Sequence, residues 1–152
     1  MIQRFVQTVV AESFDELAQI GLIQFEAMVQ VNMLWLMRHP AAPQGPLEAG
    51  LAYDPPPLDF RTVIHPTCQV PVLLQRGRGK CDSIAAYDVA GRRLAGQQAR
   101  VALEPHGDGL FHVVSEVVID GLWQKIDMSE MLPKYNQPNA CSVNGTEEMC
   151  SC

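Results

Sequence analysis

The chain has 152 residues, 47% hydrophobic and 18% charged, with a formal net charge of −6; that allows one compact domain with a real core and is too short for two ordinary ones. Global disorder does not fit this composition, and an acidic chain whose basic residues cluster only at 76–80 gives nucleic-acid binding little to rest on. The Met-Ile-Gln-Arg start has no apolar h-region or cleavage site, and five scattered cysteines (68, 81, 141, 150 and 152) are no secreted-domain framework, so the expectation is a reducing, cytoplasmic setting with at least some thiols.

Residues 2–10 are rich in β-branched and apolar types and predict a strand, at an edge. Ser13 and Glu16 form a capping box, after which Leu17, Ile20, Phe25, Met28, Val31 and Leu34 recur at helical spacing. The spacing predicts a helix over 14–38, apolar nearly all round, so either buried on most sides or offering a face to a partner. A membrane span is the alternative, but Gln19, Gln24, Glu26, Gln30 and Asn32 interrupt the run below the about 20 apolar residues a span needs. The buried helix is the expectation.

Prolines at 40, 43, 46, 55, 56 and 57 predict a long loop over 39–58, because each fixes φ and removes a donor. Loops of that size in small domains more often bind or cover something than merely connect. Residues 59–74, broken by Pro66 and Pro71, give no secure element. The chain then reads Arg76-Gly77-Arg78-Gly79-Lys80-Cys81-Asp82-Ser83, a glycine-broken basic loop running into a helix that opens with a cysteine. An isolated cysteine is usually a small buried hydrophobe. At a helix start, however, unpaired N–H groups and the positive dipole end favour the thiolate. Ile84, Ala85, Val89, Ala90 and Leu94 continue that helix as one apolar stripe, and Gly96 supplies its left-handed stop.

A strand is expected over 98–104 and a turn at 106–109, followed by a hairpin whose arms, 110–119 and 122–128, are joined by Asp120-Gly121. A two-residue turn fixes the register: Ile119 faces Leu122, Glu116 faces Lys125 and Val114 faces Asp127. Phe111, Val113, Val117, Ile119, Leu122, Ile126 and Met128 then share a core face. His112, Val114, Glu116, Val118, Trp123, Lys125 and Asp127 share the other. His112 and Asp127 are diagonal neighbours there, close enough for their side chains to meet. A carboxylate so placed fixes an imidazole's tautomer and stabilises its cation, although a surface histidine beside an ordinary aspartate fits the same pattern.

Taken in order, Gly79-Lys80-Cys81-Asp82-Ser83, Arg93 to Val101, His112-Val113-Val114-Ser115-Glu116-Val117 and Ile119 to Asp127 resemble the transglutaminase-like core of the papain-like cysteine enzymes. The match covers roughly residues 75–128. It departs from the family at Val114, where an aromatic normally follows the histidine by two residues, and in the N-terminal half, which matches nothing in the family pattern. The resemblance implies an α+β fold in which a Cys-bearing helix packs on an antiparallel sheet, with a single domain over 1–132 and a tail over 133–152. It implies Cys81 as nucleophile, His112 as general base and then acid, and Asp127 as the orienting carboxylate. Gln75, six positions before the cysteine, has the spacing of the papain oxyanion glutamine, with Gln69 or the 40–58 loop as alternatives, and Lys80, Val114 and Trp123 would line the cleft.

No cofactor is implied, and the spacing of Cys141, Cys150 and Cys152 fits no usual zinc pattern, with His65 and Cys68 too few to complete one. The implied reaction is hydrolysis of a peptide or isopeptide amide through a Cys81 thioester, in a peptide or protein substrate. Glutamine-to-amine acyl transfer uses the same thioester and is the nearest rival. Small stand-alone proteins resembling this core also occur among phage genes. A non-catalytic assembly role, in a virion or another oligomer held by helix 14–38 or the tail, is therefore the second class.

Overall fold

The computed structural model describes residues 14–55, 58–59, 68–105 and 110–135. The expected strand at 2–10, the turn at 106–109, His65 and the cysteines at 141, 150 and 152 lie outside those residues.

Helix α1 (Phe14–Arg38) has the expected bounds but a different environment. Phe25, Met28, Val29, Asn32 and Leu36 are buried, a stripe at helical spacing, while Ile23, Leu34 and Met37 stay largely exposed. The helix thus buries one side. Ala18–Arg38 is long and apolar enough to cross a membrane by length and composition alone, a property that core helices of soluble proteins share. Its buried stripe faces the second long helix, α3 (Cys81–Leu94), and Glu26 ties the two together by accepting both terminal nitrogens of Arg93. Between them in sequence, the short α2 (Val70–Arg76) starts at a proline-bearing first turn, where Asn32 Oδ1 accepts the Val70 N–H at 3.2 Å.

The proline-rich stretch is folded by turns and anchored at a few buried positions. Successive turns carry it from His39 to Leu51, which is fully buried, and it then pairs as β1 (Ala52–Tyr53) with β3 (Arg78–Gly79) in parallel. The Tyr87 hydroxyl of α3 donates to the Pro43 carbonyl, and Gly91 of α3 lies under the Gln44 carbonyl so closely that a Cβ there would come within 1.7 Å of that oxygen. Every residue from Cys81 to Gly91 is buried, polar ones included, because α1, the sheet and this loop surround the helix. Alternation of apolar and polar residues predicts one stripe for α3; the structure covers its whole circumference.

The sheet is antiparallel and orders β2 (Leu58–Asp59), β5 (Leu110–Ile119) and β4 (Ala99–Pro105), with β6 (Leu122–Ile126) also pairing with β5. Both β2 and β6 use the β5 edge opposite β4, β2 at residues 110–111 and β6 at 115–119. The hairpin register is the expected one, Ile119 with Leu122 and Glu116 with Lys125. Asp120 (φ 53°) and Gly121 (φ 79°) are both left-handed, as a type I′ turn demands. Ala99, Val101, Phe111, Val113 and Val117 face the helices and join the core. On the opposite face the cross-strand charges pair differently from expectation: Lys125 bonds Glu104 at 2.8 Å and Arg100 takes Glu116 at 2.8 Å, its guanidinium lying 3.9 Å over the Trp123 ring.

The strand ends at Ile126, short of the expected 128. Asp127 instead caps α4 (Met128–Met131), accepting the Ser129 N–H at 3.0 Å. The molecule is therefore an α+β protein with α3 against β4 and β5.

Candidate functional site

Cys81 is the first residue of α3, positioned by Lys80 at the N-cap, and its thiol is buried and not part of a disulfide. Parallel pairing with β1 fixes the approach: Ala52 donates to the Gly77 carbonyl and Asp54 to the Gly79 carbonyl, so the backbone entering α3 is held on one side by Tyr53 and its neighbours. In the first turn, Ser83 Oγ accepts the Cys68 N–H at 2.8 Å, tying the helix start to a residue that is itself disulfide-bonded. A disulfide at Cys68 sits less easily with the reducing setting that the cysteine scatter suggests.

His112 lies on β5 and Asp127 just beyond β6. Their side chains meet where the register puts diagonal neighbours, with Nε2 2.8 Å from Oδ2 and 2.9 Å from Oδ1. Since a carboxylate only accepts, Nε2 carries a proton, and Nδ1, on the other side of the ring, is buried. Ser129 completes the arrangement from the first turn of α4. Its hydroxyl donates to Asp127 Oδ1 at 2.6 Å and lies 3.2 Å from His112 Nε2, while its backbone N–H donates to the same oxygen. Burial pushes the Asp127 carboxyl up, but the hydrogen bonds from Ser129 and His112 outweigh it and hold the group below the ordinary aspartate value. The aspartate is a fixed anion against the imidazole.

Tyr53 closes the group. Its ring stands edge-on to His112 with centroids 6.4 Å apart, and its backbone is pinned on both sides, donating to the Pro133 carbonyl and accepting from Tyr135. Burial first, and then the acidic groups of Cys81, Asp127, Asp54 and Asp82, push its phenol well above the ordinary range. The phenol stays neutral there.

The other expected site residues are spread more widely. Gln75 is exposed in the last turn of α2, and Gln69 is the N-cap of that helix, with no side-chain capping bond. Lys80 is half-buried at the entry to α3, and Val114 is buried on the same sheet face as His112. Trp123 sits opposite Val118, six residues along β5 from His112, or roughly 20 Å at strand rise. There it borders a separate depression of about 540 Å³ with Arg93, Gln97 and Arg100, away from the thiol. Among the described residues no three His, Cys, Asp or Glu side chains gather as a metal would require.

Two participants escape the sequence reading. Ser129 had a signal, since Asp127-Met128-Ser129-Glu130 is a helix-start pattern with an aspartate cap, and reading the strand through to 128 hides it. Tyr53 had none. Its place depends on long-range pairing of a two-residue strand. No family model matches the chain, and neither a curated protein nor a solved structure matches it.

Proposed function

We propose that the protein is a thiol hydrolase that cleaves a peptide or isopeptide amide through a thioester on Cys81, on a core of the papain-like, transglutaminase-like kind. The observation that carries this reading is the His112–Asp127 pair, held by Ser129, beside a helix that begins with a buried cysteine thiol. In this reading His112 Nδ1 takes the Cys81 proton, and the thiolate attacks the amide carbonyl carbon. The resulting oxyanion collapses as Nδ1 returns the proton to the departing amine. Water, deprotonated by the same nitrogen, then attacks the thioester and releases the acid and the thiol. Asp127 stabilises the imidazolium at each stage. Acyl transfer replaces that water by an amine. Incubation with a glutamine-containing peptide and a fluorescent amine tests the choice: glutamate formation outpacing label incorporation supports hydrolysis, and the reverse order assigns acyl transfer.

A second reading, assembly into a larger particle without chemistry, is favoured by the outward Ile23, Leu34 and Met37 of α1. Native mass spectrometry with a peptide-turnover assay tests it. A monomer that turns over peptide overturns assembly as the role.

A further inference from the structure

Thioester chemistry needs donors aimed at the oxygen that becomes negative, and a backbone N–H at the nucleophile normally supplies only one. The glutamine with the expected spacing, Gln75, is exposed on α2, beyond the Gly77 turn and β3 from Cys81. Tyr53 is better placed. It is strand partner to Gly79, two residues before Cys81, and its ring packs T-shaped against His112, so it adjoins both the segment that leads to the cysteine and the imidazole. Only 5% of the residue is exposed, yet its hydroxyl makes no protein hydrogen bond among the described residues, and its oxygen keeps some contact with solvent. A nearly buried phenol whose hydroxyl has no protein acceptor is an unusual thing for a fold to hold, because a buried hydroxyl ordinarily finds one.

Resting on the thiol-hydrolase reading, we propose that Tyr53 is a catalytic residue whose O–H donates to the oxyanion formed when Cys81 attacks a carbonyl, the role the spacing alone would give to Gln75. A phenol held neutral by burial and by the surrounding carboxylates is suited to donate, since a phenolate would repel the oxyanion. In the step concerned, the Sγ–C bond forms as the carbonyl π pair moves to oxygen. That pair returns as the bond to the leaving group breaks, and the leaving group departs with its electrons.

The test separates acylation from alkylation on the full chain. With p-nitrophenyl acetate, Cys81 Sγ attacks the ester and releases p-nitrophenolate through an oxyanion; with iodoacetamide, Sγ displaces iodide directly at the CH2 carbon and no oxyanion forms. Tyr53→Phe keeps the ring against His112 and removes only the hydroxyl. The expected result is an acylation rate about 10²-fold lower, with alkylation of Cys81 and the thermal midpoint unchanged, and with Gln75→Ala acylating like the parent. Equal acylation by Tyr53→Phe and the parent overturns the proposal, as does a loss in Gln75→Ala that Tyr53→Phe does not share. A parallel fall in alkylation and acylation overturns it too, since that assigns Tyr53 to positioning the imidazole. If the parent itself shows neither acylation nor selective alkylation at Cys81, the thiol-hydrolase reading fails and takes this proposal with it.

Discussion

Both carboxylate oxygens of Asp127 lie within 2.9 Å of a single nitrogen, Nε2 of His112. The aspartate straddles one N–H and so leaves only the opposite ring nitrogen, Nδ1, for any proton transfer. If that nitrogen serves Cys81, limiting iodoacetamide at mildly acidic pH alkylates Cys81 before the other cysteines. His112→Ala then slows the labelling about tenfold or more, because the thiolate loses its imidazolium. Peptide mapping by mass spectrometry reads both. Labelling of Cys81 no faster than Cys150 or Cys152, or no change in His112→Ala, removes Cys81 as the nucleophile.

The same pair sets a pH dependence. Ser129 and His112 hold the folded-state Asp127 pKa below its unfolded value of about 3.9. Its contribution to stability is therefore complete above that value and is lost as pH falls through the folded-state pKa. Urea unfolding at pH 7 should find Asp127→Asn less stable than the parent, and at pH 3 the gap should narrow. A gap of the same size at both pH values would mean that the carboxylate charge contributes nothing.

Alanine for glycine inside a helix normally stabilises by about 0.5–1 kcal/mol. At Gly91 the sign should reverse, because the new methyl would meet the Gln44 carbonyl and push the 43–45 loop off α3, breaking the bond from Tyr87 to Pro43. The expected cost of Gly91→Ala is about 2–3 kcal/mol. Thermal or urea denaturation gives the number, and any stabilisation would show that the loop does not rest on the helix.

Gly121 makes the complementary case. Nothing lies within 4 Å of a Cβ there, so only its positive φ of 79° resists substitution. Gly121→Ala should cost about 1–2 kcal/mol through the left-handed conformation alone, with the hairpin register intact. Cross-strand NOEs between residues 116 and 125 check the register while urea denaturation measures the cost.

Local rules read well where local rules decide. The 3.6-residue apolar spacing marks α1, the Asp120-Gly121 turn sets every pair from Ile119–Leu122 to Ser115–Ile126, and that register alone brings His112 to Asp127. What was hidden depends on partners far along the chain. Burial of Asp82, Ser83 and Asp88 on α3 follows from α1, the sheet and the 43–45 loop closing round one helix, so amphipathic spacing underestimates it. Likewise α2 begins in a stretch broken by Pro71, where the proline occupies the first turn and needs no N–H. Lys125 reaches Glu104 on a strand two places away, past the Glu116 directly opposite, a choice that no two-strand argument can weigh.

Tyr53, Cys81, His112 and Asp127 arrive from β1, the start of α3, the first residues of β5 and the junction of β6 with α4. A chain is made from its N-terminus, so the cysteine leaves the ribosome before the histidine, and the histidine before the aspartate that orients it. On the thiol-hydrolase reading, Cys81 is chemically an ordinary thiol until the hairpin closes. Nucleophilic character would switch on only with the last turn of folding, and any fraying of α4, which carries Ser129, would return the protein to that quiescent condition while most of its structure still stood.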